Sequence, residues 1–266
     1  MDLLPVDFQD ELTFTVEHRP IQPTAATTVA MPDGFVATYP VGTVTAPDFL
    51  HGRSVITATA AAAELNILST VNASFWFDEN QPIRLRAQLT PGTLPLQQNI
   101  YVGCMEDMLT GPVIAAGAGP KLDSDMFGFY TPDSSSTRFV DDNFWYCVSS
   151  FGALQQITAL TADNLNNISK QAVPLAVGGV GVARDFVAEW VPTNVVPGLA
   201  GAAPTLLDAE VRFWIDGVLV AKHLQRGVNQ ITIGNHVLQD FGVAMMNITD
   251  IAVLNVDFLK CSQLRN

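Results

Sequence analysis

Residues 210–223, EVRFWIDGVLVAKH, constrain the fold of this chain more than any other stretch. Val211, Phe213 and Ile215 alternate with Arg212 and Trp214, Asp216-Gly217 follows, and Val218-Leu219-Val220 leads away. A two-residue type I′ turn needs positive φ at both central residues, a conformation Asp-Gly adopts cheaply. The spacing therefore predicts a β-hairpin. Ile215 faces Val218 and Phe213 faces Val220 on one side, and Trp214 and Leu219 share the other. Both sides are apolar near the turn, so one is expected in a core and the other against further protein. A chain built of such hairpins folds as an all-β sandwich.

The same alternation recurs. Ile83, Leu85, Ala87 and Leu89 alternate with Arg84, Arg86 and Gln88, a half-solvated strand with an aliphatic inner side. NIYVGCM (99–105), MFGFY (126–130), FWYCV (144–148), DFVAEWV (185–191), QITI (230–233) and AVLNVDFLK (252–260) read as further strands. Residues 54–70 are ambiguous, since Ala60–Ala63 favour helix while Val55-Ile56-Thr57 and Asn66-Ile67-Leu68 favour strand. Asn164–Lys170 reads as one helical turn or a loop, and Gly178-Gly179-x-Gly181 as a loop or bulge. Strands separated by Pro/Gly loops, with almost no amphipathic helix, favour two packed antiparallel sheets.

Residues 1–50 differ from the rest. Leu12, Phe14 and Val16 suit one short strand, followed by Pro20, Pro23, Pro32, Pro40 and Pro47. Proline suits edges and extended segments. This region is read as an extended arm or as peripheral strands, and residues 51–266 as the sandwich.

Charge narrows the partners. The chain carries 13 basic and 26 acidic residues, a net charge of −13, and its basic residues are scattered. Binding to a phosphate backbone or an anionic bilayer needs a basic footprint, so nucleic acid and membrane are not expected as partners. Only 15% of residues are charged, which fits either a Thr/Ser/Asn/Gln surface or a surface covered by neighbouring subunits. Cys104, Cys147 and Cys261 form no CxxC pair and read as buried, reduced thiols of a protein folded in a reducing cytoplasm. MDLLPVDFQDE lacks an apolar signal core, so export by a signal peptide is not expected.

The order of elements from Asn72 onward resembles the concanavalin A-like lectin/glucanase jelly roll. PIRLRAQL followed by NIYVGCMED, DFVAEWV followed by EVRFWIDGVLVAKH, and the last strand IAVLNVDFLK carry the likeness. Within that fold the chain is most similar to virion proteins of tailed bacteriophages. That resemblance implies a capsid decoration, cement or appendage subunit in the virion, working by contacts with other virion proteins and with its own copies, a trimer among the options. The interface residues it points to are Trp214 and Leu219 on the hairpin and Phe14 and Val16 in the N-terminal segment.

Catalytic motifs are absent. Glucanases of this fold place two acids on one strand as E-x-D-x-E, and no such run occurs here. Glu106 with Asp125 is the best acidic pair, with nothing in the sequence to bring them together. Asp141-Asp142-Asn143 and Asp123-x-Asp125 offer oxygens suited to Ca²⁺ but are ordinary turn residues. His18, His51, His223 and His236 lie far apart and read as exposed or loop histidines. No enzyme activity and no cofactor or metal is expected. A carbohydrate-binding module is the alternative to the virion role, with Trp76, Trp145, Trp190 and Trp214 as candidates for a sugar face, and a glycoside hydrolase is third.

Overall fold

The computed structural model describes residues 13–18, 28–30, 35–38, 42–48, 53–58, 64–70, 75–77, 81–92, 98–106, 108, 113–115, 119–121, 125–132, 136–139, 141–151, 154–196, 205–232, 238–247 and 252–264. Its first strands are β1 (Thr13–His18), β2 (Thr28–Ala30), β3 (Phe35–Thr38), β4 (Gly42–Asp48), β5 (Arg53–Ala58), β6 (Glu64–Thr70) and β7 (Phe75–Trp76). The middle of the chain holds β8 (Ile83–Pro91), β9 (Gln98–Met105), β10 (Ile114–Ala115), β11 (Gly119–Pro120), β12 (Met126–Thr131), β13 (Tyr146–Phe151) and β14 (Leu154–Ala159). There follow β15 (Ala176–Val177), β16 (Val180–Gly181), β17 (Arg184–Val196), β18 (Thr205–Ile215), β19 (Val218–Thr232), β20 (Leu238–Asn247) and β21 (Ala252–Leu264). No helix occurs among the described residues.

Two antiparallel sheets stack on one another. The eight-stranded sheet runs β19-β18-β17-β8-β21-β5-β4, with β1 beside β21. The nine-stranded sheet runs β14-β13-β12-β9-β20-β6-β3-β2, with β7 beside β20. β1 and β5 occupy successive stretches of the same side of β21, while β2 and β3 extend the other sheet through β6. The ambiguous residues 54–70 contribute β5 and β6. Ile56 and Leu68 are fully buried there, and tertiary burial decides in favour of strand.

The main core lies between the sheets. Leu85, Ala87, Leu89, Phe186 and Phe213 of the eight-stranded sheet meet Phe127, Phe129 and Trp145 across the gap. Phe129 packs edge-on against Phe213, and Trp145 against Phe186 with centroids 4.5 Å apart. A second apolar cluster covers the outer side of the nine-stranded sheet, where Met108, Val113, Ile114 and Phe139 close over Tyr101, Tyr130 and Tyr146. The strands β9, β12 and β13 of that sheet are therefore buried on both faces.

The hairpin forms at the expected turn, with Asp216 at φ 52° and Gly217 at φ 78°. Its register departs from expectation one step beyond the turn. Ile215 pairs with Val218 and Trp214 with Leu219, but Phe213 pairs with Ala221. Val220 is the extra residue of a β-bulge, which lets Val220 and Ala221 both enter the core. A Cβ at Gly217 would meet nothing within 4 Å, so any penalty there comes from backbone conformation alone. Gly217→Val is expected to lower stability by about 2 kcal/mol. Gly217→Asn, which tolerates the left-handed region, is expected to lose less than half of that in urea denaturation. Equal losses for the two variants would refute a conformational origin.

The glycines at 178 and 179 also form a hairpin turn rather than an open loop or bulge. Both have positive φ, and Val177 pairs with Val180 across them.

Candidate binding cleft between the two edge strands

On one side of the sandwich the edge strands β19 and β14 face each other. A cleft of about 460 Å³ opens there, lined by Gln156, Ile157, Thr158, Leu165, Asn166, Ile168, Lys222 and His223. Residues 161–171 form its rim. They are a loop, with Lys170 at φ 54°, and not a helical turn.

Side-chain hydrogen bonds build this rim. Asn167 is fully buried, and its amide nitrogen donates to the carbonyls of Thr161 and Gln171 at 2.8 Å each. Asn164 donates to the Ala159 carbonyl at 2.7 Å. The Lys170 ammonium donates to the carbonyls of Asn164 and Leu165 at 3.0 Å. The loop is fastened to β19 by the Ile168 N–H, which donates to the Val220 carbonyl at 2.8 Å. The Val220 bulge thus supplies the anchor. Leu165, held on this frame, is 88% exposed.

His223 forms the floor. It lies on the inner side of β19 and is 2% exposed, which corrects the reading of it as an exposed or loop histidine. Its Nδ1 lies 2.8 Å from Ser149 Oγ and its Nε2 3.0 Å from Thr158 Oγ1. Gln225 Nε2 donates to Ser149 Oγ at 2.8 Å. One consistent direction runs from Gln225 to Ser149, from the Ser149 hydroxyl to Nδ1, and from Nε2–H to Thr158. That direction requires a neutral imidazole. Burial pushes the His223 pKa down to about 3, in keeping with the neutral ring. Above it Gln156 bridges the two sheets by donating to the Leu224 carbonyl at 2.6 Å.

The other residues singled out in the sequence lie elsewhere. Trp214 retains 8% of its surface and Leu219 is half-buried. The backbones of Phe14 and Val16 pair with Gln263 and Cys261, and their side chains lie outside the described residues. Trp145 and Trp190 are fully buried and offer no sugar platform; the Trp76 side chain lies outside the description. Glu106 and Asp125 are brought together, the Glu106 N–H donating to the Asp125 carbonyl at 3.2 Å, but neither lines the cleft. Asp141–Phe144 closes as a turn, with Phe144 N–H on the Asp141 carbonyl at 3.4 Å. Among the described residues no three His, Cys, Asp or Glu side chains group as metal ligands.

Sequence patterning missed Gln156, Thr158, Asn166 and Lys222 as a group because they come from three separate segments. The period-2 series Ala221, His223, Gln225 was the available signal, since it continues the inward side of the hairpin.

No protein-family model and no curated protein sequence matches this chain. In three dimensions it is similar to peanut lectin, with TM-score 0.52 and 8% identity over 94% of this chain and 97% of that one. It is similar to an endo-1,3-beta-glucanase from Streptomyces sioyaensis, with TM-score 0.51 and 12% identity over 98% and 100% of the two chains. Arcelin-5, a lectin-like defense protein from Phaseolus vulgaris, matches with TM-score 0.50 and 8% identity over 96% and 100%. At these identities the likeness establishes the fold, an all-β jelly roll of the lectin/glucanase kind, and a fold hosts many functions.

Proposed function

We propose that this chain is a non-catalytic carbohydrate-binding jelly roll whose ligand sits in the cleft between β14 and β19. One observation carries the reading. Among the described residues, the cleft is lined by two amides, a hydroxyl, an imidazole and an ammonium beside three aliphatic side chains, with no carboxylate. Sugars present ring hydroxyls and C–H faces together; Asn166 and Lys222 offer polar partners and Leu165 and Ile168 apolar ones, while both His223 nitrogens are taken up by Ser149 and Thr158. Hydrolysis of a glycosidic bond uses two carboxylates, which the described residues of this lining do not supply. Ser149 is fully buried beneath His223, so the Ser–His contact has no access to a substrate. The names of peanut lectin and arcelin-5 accord with a binding role, and that of the glucanase keeps sugar as the ligand class while differing on chemistry.

The test is a glycan array probed with the full chain, followed by titration of any hit. Lys222→Ala and Asn166→Ala are expected to weaken binding at least tenfold, about 1.4 kcal/mol each. Absence of any glycan signal, or binding indifferent to both substitutions, would overturn the proposal.

The virion role is the second reading and rests on the sequence resemblance. The observation in its favour is the exposure of Leu165 (88%) on the 161–171 loop and of Val177 (66%) and Val180 (62%) on the β15–β16 hairpin, apolar side chains that suit contacts with other subunits. A stable symmetric oligomer in light scattering, together with a silent glycan array, would favour it.

A further inference from the structure

We infer that Cys104 and Cys261 are a latent disulfide that ties the two sheets together through the core. Cys104 lies on β9 in the middle of the nine-stranded sheet and Cys261 on β21 in the middle of the eight-stranded one. Their sulfurs are 3.9 Å apart, and the two residues are separated by 157 positions in sequence. Both are fully buried in the shared core. A disulfide needs a sulfur–sulfur distance of about 2.05 Å, so the two side chains must close roughly 2 Å between them by χ1 rotation. Disulfides across the core of a two-sheet sandwich are established in immunoglobulin domains, so this geometry can be spanned.

The reaction balances with a disulfide oxidant such as glutathione disulfide. The Cys104 thiolate attacks one glutathione sulfur and releases one glutathione thiol. The Cys261 thiolate then attacks the Cys104 sulfur of the mixed disulfide and releases the second. Two protein thiols are oxidised and one glutathione disulfide is reduced. The native pair is shielded, because both thiols are fully covered and burial holds the Cys261 thiol in its protonated form. The bond therefore forms while the chain folds. In a reducing compartment the pair remains as two thiols.

The experiment refolds the full chain with a glutathione redox pair and counts free thiols after denaturation. One thiol per chain, Cys147, is expected, with a Cys104–Cys261 peptide pair in non-reducing mass mapping. The oxidised protein is expected to melt on the order of 5–10 °C above the reduced one, because the crosslink closes a long loop in the unfolded chain. Cys104→Ala and Cys261→Ala should each abolish that difference. Three free thiols after refolding, or a bridge involving Cys147, would overturn the inference. Thiol counting on the wild-type chain decides the matter even where a variant folds poorly.

Discussion

Gly128→Ala is expected to destabilise the sandwich by about 3 kcal/mol, the upper part of the range for overfilling a packed interior. Gly128 on β12, Gly103 on β9 and Gly242 on β20 stand in register on three adjacent strands. A Cβ on Gly128 would lie 2.2 Å from the Val102 carbonyl oxygen and 2.7 Å from the Gly103 Cα. These are backbone atoms of the central strand and cannot rotate away. At Gly103 a Cβ would meet the Phe127 carbonyl oxygen at 2.3 Å and the Tyr101 hydroxyl at 2.5 Å. The bare row is what lets the Tyr101 hydroxyl lie 2.7 Å from the Cys104 carbonyl and 3.1 Å from that of Phe127. Gly178→Ala is the contrasting variant. Nothing lies within 4 Å of its Cβ, so only the positive φ of 61° is penalised, at about 1 kcal/mol. Urea midpoints for the two variants should differ by more than twofold in loss. Similar losses would mean that the sheet relaxes around the added methyl.

Strand patterning made the two sheets legible to different degrees. β8 alternates between buried and exposed positions because its outer side is solvated, and its sequence alternates with it. β9, β12 and β13 are buried at every position, so NIYVGCM, MFGFY and the run ending in YCV show no alternation to read. Their outer cover comes from Met108, Val113 and Phe139 in irregular segments and Ile114 in the two-residue strand β10, whose role no local pattern announces. The Asp-Gly turn was legible because turn chemistry is local. The bulge at Val220 was not, because it is fixed by tertiary demands: two successive apolar residues buried and a carbonyl turned out to hold the 161–171 loop. The cleft inherits that difficulty, being assembled where two strands from distant parts of the chain form the edges of opposite sheets.

Acid is expected to weaken this fold well above the pH at which most carboxylates titrate, through His223. Its folded pKa is about 3 against 6.5 for the free side chain, with burial as the cause. The folded state therefore holds the neutral ring, and the unfolded chain takes up the proton first. Stability from this site is complete above pH 6.5 and is lost as the pH falls from 6.5 towards 3. The slope is about 1.4 kcal/mol per pH unit, which amounts to roughly 3 kcal/mol by pH 4.5. Among the described residues no charged group faces the ring inside the site, since Ser149, Thr158 and Gln225 are uncharged and Phe213 meets the ring in a T-shaped contact at 4.9 Å. Protonation would also reverse the Ser149 contact, because the imidazolium donates from both nitrogens: Ser149 Oγ then accepts from His223 and Gln225 together, and its own hydroxyl proton loses Nδ1 as acceptor. His223→Gln is expected to lose about 1–2 kcal/mol at pH 8, for lack of one hydrogen bond and the ring contact. It should also flatten the acid limb, so that the wild-type and variant curves converge near pH 5. Parallel stability profiles between pH 8 and pH 4.5 would show that the ring charges without cost and that water reaches it through the cleft.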